Sequence, residues 1–138
     1  MADLNTETIQ LDTPDGPMTT LRTMPAGEPR GGVVVVQEAF GLTGHITRVT
    51  QALAADGWIA VAPALFHRSE EQVFDYGDYE KLGPVMMSLS TDTITDDVDA
   101  ALAELTRLGV PADRQGIIDV DERALMDGPP APAAHRAP

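Results

Sequence analysis

Four consecutive valines, residues 33–36, constrain the fold of this 138-residue chain more than any other segment. An unbroken apolar run of this length, preceded by glycine, is typical of a short strand buried on both faces, as in a sheet that helices cover on each side. The carboxylate of Glu38 follows directly where that strand should end. Because ligands of open α/β sheets bind at the carboxyl ends of the strands, the sequence indicates a candidate site at residues 37–41.

The segment after the valines has the pattern of a strand–helix–strand unit. Residues 43–56 place Ile46, Val49 and Leu53 three and four positions apart, which is the spacing of one helix face. Residues 58–63 are again apolar and end in a proline, as expected for a second short buried strand. We therefore predict two parallel strands joined by a crossover helix.

The chain begins with a different strand pattern. Residues 6–11 alternate polar and apolar side chains, residues 18–24 are similarly β-prone, and Asp15 and Gly16 form a turn signal between them. Residues 115–118 open a further parallel strand. We predict an α/β fold, in which a mostly parallel sheet carries an N-terminal antiparallel hairpin at one edge and helices on its faces.

The region between the second and third parallel strands is less regular. Residues 70–78 are acidic with aromatics, for which we predict a loop and a short helix, and Gly83 with Pro84 should break any helix that crosses them. Residues 91–108 have the clearest helical stripe of the chain. The acids near its start lack a calcium-loop pattern, so we interpret them as a solvated helix start and predict no metal site: Asp92, Asp96, Asp97 and Asp99.

Charge and composition exclude several classes of function. The formal net charge of -13 would repel phosphate backbones and anionic lipid surfaces, so we expect neither nucleic-acid nor membrane binding. No cysteine is present, which removes disulfides, thiolate metal sites and a cysteine nucleophile together. No signal peptide and no apolar run long enough to cross a bilayer is visible, and we expect a cytoplasmic protein.

Glu38 and the loop behind it are the main candidates for chemistry. The carboxylate either orients a neighbouring nucleophile or is a surface acid that caps the following turn. The loop at residues 40–44 contains Gly41 and Gly44 and precedes a helix, so it either presents N–H groups to an oxyanion or is an ordinary connection. It has neither of the glycine patterns of phosphate-binding loops.

The remaining reactive side chains offer no self-contained catalytic set. The three histidines lack metal-site spacing and are interpreted as structural or surface residues: His45, His67 and His135. None of the serines lies in a glycine-flanked strand-to-helix turn: Ser69, Ser88 and Ser90. A complete hydrolytic triad is therefore not encoded.

Three segments taken together resemble the dienelactone hydrolase family of α/β-hydrolases: residues 32–42 (GVVVVQEAFGL), the helix that ends at Asp56 and Gly57, and residues 58–68 (WIAVAPALFHR). The resemblance covers roughly residues 5–118 and implies a partial α/β-hydrolase fold. It implies hydrolysis of a small-molecule ester or lactone through a covalent acyl-enzyme, with no cofactor. It also implies two site residues: Glu38 as the carboxylate that contacts the nucleophile, and Ala39 as a backbone donor of the oxyanion hole.

The chain departs from the family pattern after Ile118. The family's Gly-x-[Cys or Ser]-x-Gly turn should follow that strand, but the sequence continues with acidic residues and then with proline and alanine. The nucleophile, the acid and the histidine of the triad have no counterpart, and Arg68 alone is a weak match for an arginine that binds a substrate carboxylate. We predict a family domain over residues 1–118 and a non-homologous, disordered or extended tail over residues 119–138.

The resemblance therefore predicts a truncated or frame-shifted member that is inactive as an isolated chain and that can self-associate through an exposed sheet edge. Two alternatives stay open. The chain can be a non-catalytic binding or regulatory module on the same scaffold, or it can be one half of a two-chain enzyme.

Overall fold

The computed structural model describes residues 5–37, 40–70, 72–75, 77–119 and 135–136. The described strands are β1 (Thr6–Thr13), β2 (Gly16–Thr23), β3 (Gly31–Val36), β4 (Trp58–Pro63), β5 (Gln115–Asp119) and β6 (His135–Arg136). The described α-helices are α1 (Gly44–Ala55), α2 (Tyr79–Met87) and α3 (Thr91–Arg107). The strands form one sheet in the order β1-β2-β4-β3-β5-β6.

The predicted parallel core of the sheet is confirmed. The valine strand β3 lies between β4 and β5 and is parallel to both, with Val33 opposite Ala60 on one side and Gly116 on the other. The predicted hairpin is also confirmed, since β1 and β2 pair antiparallel and β2 continues the sheet by pairing antiparallel with β4. The carboxyl ends of β3, β4 and β5 therefore share one edge of the sheet.

Alternate valines of β3 face opposite layers of the molecule. Val33 and Val35 pack in one core cluster with Ile46 and Leu53 of α1. Val34 packs in a second cluster with residues of α3, among them Leu105. A strand buried on both faces needs apolar side chains at every position, which accounts for the unbroken run in the sequence.

Helix α2 differs from its prediction in position and in its tolerance of proline. The described residues of 70–78 are not helical, and the helix runs from Tyr79 to Met87 with Pro84 inside it. The prediction that Gly83 and Pro84 break any crossing helix is wrong here. An interior proline removes one backbone hydrogen bond and crowds the carbonyl four residues earlier, at a cost of about 3 kcal/mol, and the burial of Leu82 against an aromatic cluster opposes this cost.

Helix α3 begins at the predicted residue and ends one residue before the predicted end, but two of its acids are buried. Asp92 and Asp99 are exposed, as predicted for a solvated start. Asp97 is 0% exposed and Glu104 is 5% exposed. The interpretation of Asp97 as a solvated acid is therefore wrong, because its carboxylate pairs inside the protein with side chains that follow β4.

The tail lies largely outside the described residues. Only the backbone of His135 and Arg136 is described, and it pairs antiparallel with Ile117 and Gly116 of β5. The division into a family domain and a non-homologous tail stays a prediction. No described helix has both the length and the apolar character required to span a bilayer.

Candidate active site

The loop that leaves β3 lies at the carboxyl edge of the sheet, where the sequence predicted a site. Its first residue, Gln37, is 8% exposed, and its side-chain Oε1 accepts a hydrogen bond of 2.8 Å from the backbone N–H of Leu65. This bond joins the end of β3 to the segment that follows β4. Glu38 and Ala39, the two predicted site residues, lie outside the described residues, so their assignment stays a prediction.

The next residues of the loop are fixed by backbone contacts with residues 72–74. The N–H of Phe74 donates to the carbonyl oxygen of Phe40 at 2.9 Å. Gly41 has a φ of +97°, and a Cβ atom at this position would collide with the backbone carbonyl of Gln72. Glycine is therefore required at position 41 for two independent reasons, its backbone conformation and the close approach of a second chain segment.

An aromatic cluster packs against this loop on the side of α2. Phe40, Phe66 and Phe74 are almost completely buried, and they pack with Leu82 of α2. The rings of Phe66 and Phe74 meet edge to face at a centroid distance of 5.9 Å, which is a favourable aromatic geometry. The cluster ties α2 to the loop and so gives the candidate site a rigid base.

The helix that follows the loop begins at the same edge and directs backbone N–H groups there. Among the described residues, the N–H groups of Gly44, His45 and Ile46 in the first turn of α1 have no hydrogen-bond acceptor. Free N–H groups and the positive end of the helix dipole together favour negative charge. The predicted capacity of this loop and helix to accommodate an oxyanion is compatible with this geometry.

A buried ionic network holds the segment that follows β4. The guanidinium of Arg68 donates two hydrogen bonds of 2.9 Å to Asp97 and one of 2.6 Å to Asp15 in the β1–β2 turn. Nε2 of His67 lies 3.0 Å from Oδ1 of Asp97, and both side chains are buried. The hydrogen bonds with Asp97 and then Asp15 raise the pKa of Arg68. Arg68 is thus occupied by internal carboxylates rather than directed at a substrate.

A second ionic cluster lies at the opposite end of α3. Glu104 accepts hydrogen bonds from Arg107, at 2.6 and 2.8 Å, and from Arg22 of β2, at 2.7 Å. The bonds from Arg107 and then from Arg22 lower the pKa of Glu104 despite its burial. This cluster fastens α3 to the sheet and is remote from the carboxyl ends of the strands.

Two of the three serines have structural roles at the ends of helices. The Ser90 hydroxyl accepts from the N–H of Thr93 at 3.2 Å and caps α3, and the Ser88 hydroxyl donates to the carbonyl of Val85 at the end of α2. Among residues 5–37, 40–70, 72–75 and 77–119, no serine hydroxyl is hydrogen-bonded to a histidine, and no group of three or more histidines and acids is arranged to hold a metal ion.

Sequence reasoning located the loop after β3 but missed the network around Asp97. A carboxylate in the second turn of a helix usually faces water, and nothing local to Asp97 marks it as buried. A signal was present in the His67-Arg68 pair a few residues after the buried strand β4, because a cation that packs against the protein interior needs a carboxylate partner.

The strand order, with a hairpin, a crossover helix and parallel strands ending at a loop-bearing edge, is that of an α/β-hydrolase. The chain belongs to the dienelactone hydrolase family, whose model matches residues 18–118. The family and the fold class predicted from the sequence are thereby confirmed.

Individual relatives show how much of a family domain this chain contains. It is 32% identical over 96 residues to a proposed carboxymethylenebutenolidase of Methylorubrum extorquens, an alignment that covers 69% of this chain and 33% of that protein. A protein of the same proposed name from Azospirillum brasilense is 43% identical over 60 residues, covering 43% of this chain and 26% of that protein.

A solved structure shows the same partial coverage of a family domain. The crystal structure of a proposed dienelactone hydrolase from Klebsiella pneumoniae superimposes with a TM-score of 0.75 at 25% identity, covering 86% of this chain and 50% of that one. The chain therefore spans about one third of the Methylorubrum relative and half of the Klebsiella structure, and the match lies in their N-terminal portion.

Proposed function

We propose that this chain provides the first half of the active-site framework of an ester or lactone hydrolase, and that the polypeptide of this sequence has no turnover by itself. The observation that carries the proposal is the loop after β3. It is fixed at the carboxyl edge of the sheet by Gln37, Phe40 and Gly41, in a chain that belongs to a hydrolase family. These contacts hold the described residues on either side of positions 38 and 39, and a preorganised oxyanion site needs a fixed backbone of this kind.

The roles proposed within this loop follow the family resemblance. Glu38 is the carboxylate that contacts the nucleophile, and the backbone N–H of Ala39 is a donor to the oxyanion of the tetrahedral intermediate. The N–H groups in the first turn of α1, for which the described residues provide no acceptor, support this assignment, since they add positive potential beside the same loop. The proposed substrate is a small ester or lactone.

The proposed lack of turnover rests on the absence of a nucleophile where one is needed. The chain has no cysteine, and its serines lie before β5 in the sequence, two of them with hydroxyls engaged in structural hydrogen bonds. Without the nucleophile, only residual effects of binding and of an oxyanion site remain.

We also propose that residues 119–138 are an off-frame reading, because the family match ends at Ile118 and the composition changes there. A gene with no alternative frame encoding a Gly-x-[Ser or Cys]-x-Gly turn after that codon would contradict this.

A nitrophenyl-ester assay tests the main proposal on the purified chain. We expect hydrolysis at the rate of the buffer, both for the natural sequence and for Glu38→Ala. Turnover by the natural sequence that Glu38→Ala abolishes would refute the proposed inactivity.

A chimera tests the active-site framework directly. Residues 1–118 of this chain are joined to the C-terminal half of the Klebsiella relative, which restores a full-length family domain. We expect ester hydrolysis that Glu38→Ala lowers by at least tenfold, while Glu28→Ala, in the exposed loop before β3, leaves it unchanged. A folded chimera in which Glu38→Ala has no effect would contradict the role of Glu38.

A further inference from the structure

Strand β1 forms an outer edge of the sheet. Its eight residues pair with β2 in one unbroken register, and among the described residues β2 is its only partner strand. The strand contains no lysine, no proline and no bulge, which are the features that commonly keep an edge strand from pairing with another chain. Four of its side chains are exposed: Glu7, Thr8, Gln10 and Asp12. This edge therefore has the form of a template for a further strand.

The backbone groups at alternate positions of β1 point away from the sheet. The N–H of Ala64 donates to the carbonyl oxygen of Thr19 at 2.9 Å, so the backbone of Thr19 faces β4 rather than β1. Gln10 lies opposite Thr19 in the β1–β2 ladder and therefore belongs to a pair without backbone hydrogen bonds. Its own N–H and carbonyl point outwards. Because the direction alternates along a strand, the outward groups are those of positions 6, 8, 10 and 12.

The outward groups restrict how two copies of β1 can pair. Antiparallel strands exchange hydrogen bonds between residues whose backbone groups both point into the shared edge, so an even position of one copy must face an even position of the other. A two-fold axis at Gln10 satisfies this rule and pairs residues 7–13 of both copies. It places Ile9 of each copy opposite Leu11 of the other, where the two half-buried side chains can pack. Such self-complementarity is what an isologous interface requires.

The same register keeps the acidic side chains of β1 apart. Glu7 and Asp12 occupy an odd and an even position, so the pairing that would bring them face to face is forbidden. With the axis at Gln10, Asp12 faces Thr8 of the second copy, whose hydroxyl can donate to the carboxylate. Glu7 keeps its ion pair with Arg22, at 2.6 Å. The net charge of -13 still repels two copies at long range, and added salt should screen that repulsion.

We propose that β1 is a homodimerisation edge, at which a second copy of this chain adds its own β1 in antiparallel orientation. The two sheets then continue into one another across a two-fold axis at Gln10. The inference assigns an edge and a register to the self-association that the sequence predicted. It does not depend on the proposed function, since β1 lies at the end of the sheet remote from β5.

Single cysteines test the register, because the chain has no cysteine of its own. In Gln10→Cys the two introduced thiols face each other at the axis, with Cα atoms about 5.5 Å apart, which a disulfide can span. We expect a covalent dimer after mild oxidation with copper phenanthroline. Thr8→Cys is the matched control, since Thr8 is equally exposed and lies on the same face of β1. Its two copies would be four residues out of register, about 14 Å apart, and should not cross-link.

Sedimentation velocity of the chain without introduced cysteines tests the association itself. We expect a monomer–dimer equilibrium in which the dimer fraction rises with protein and with salt concentration. Gln10→Pro removes an outward N–H and leaves the backbone hydrogen bonds between β1 and β2 in place, so it should weaken the dimer at least tenfold. Gln10→Ala keeps that N–H and should leave the dimer unchanged.

Several results would overturn the proposal. They are a monomer at every concentration, open-ended assembly in place of a dimer, equal association of the proline and alanine variants, and equal cross-linking of Gln10→Cys and Thr8→Cys. Thermal melts of the two Gln10 variants show whether the proline variant is folded. If it is not, the cysteine pair decides the question, because neither cysteine alters the backbone.

Discussion

Replacement of Asp97 by asparagine tests the buried network that holds the segment after β4. The substitution keeps the shape of the side chain but removes the charge that two hydrogen bonds from Arg68 and one from His67 satisfy. Removal of one partner of a buried ion pair costs about 3–5 kcal/mol. The Arg68 side chain is 26% exposed and keeps Asp15, which reduces the penalty. We expect the free energy of unfolding to fall by about 2–4 kcal/mol.

Urea denaturation followed by the fluorescence of the single tryptophan, Trp58, measures this change. With a dependence of about 2 kcal/mol per molar urea, the midpoint should fall by about 1–2 M. Asp99→Asn, at an exposed position of the same helix, is the control and should change stability by less than about 0.5 kcal/mol. A double-mutant cycle with Arg68→Met should give a coupling energy of about 1–3 kcal/mol. Equal midpoints for Asp97→Asn and Asp99→Asn, or additive effects in the cycle, would refute the reasoning.

Three further substitutions test other parts of the framework by the same denaturation assay. Gly41→Ala should destabilise the chain by at least about 2 kcal/mol, because it combines a positive φ with a backbone collision. Gly77→Ala, at a similar φ but in open space, should cost only about 1 kcal/mol. Equal costs would argue against the close contact between Gly41 and the backbone of Gln72. The lowered pKa of Glu104 contributes stability that is present above the ordinary carboxyl pKa of about 4.3 and is lost as the pH falls through the lowered value. Glu104→Gln should therefore flatten the pH dependence of the free energy of unfolding in that acid range. An unchanged pH profile would contradict this role of Glu104. Ser90→Ala removes the cap of α3 and should cost about 1 kcal/mol, with the exposed Thr95→Ala as a control near zero.

The elements that the sequence predicted well are those with a strong local pattern. The valines at 33–36 form an unbroken apolar run, and the apolar residues of α3, among them Leu105, have helical spacing. The hairpin has a clear turn signal at Asp15 and Gly16. Local pattern and tertiary burial agree at these positions, so the pattern alone was sufficient.

The features that the sequence did not predict depend on contacts between distant segments. Pro84 is tolerated because Leu82 of the same helix is buried against Phe66 and Phe74, which no local rule includes. Asp97 is buried because Arg68 reaches it from 29 residues away. Glu38 and its place after a strand were sufficient to predict a candidate site, which stays a prediction. The need for glycine at position 41 depends on the close approach of Gln72, which the sequence does not show.

The strand order has a consequence for synthesis on the ribosome. Strands β1, β2, β3 and β4 are adjacent in the sheet, and with α1 they are complete once Pro63 has been made. Every strand pairing among them is therefore available before α3 and β5 have left the exit tunnel. Since domains are translated at about 5–20 residues per second, this four-stranded unit has several seconds in which to form while the later elements are added. These four strands and α1 can thus form first, and β5 then pairs with the open side of β3.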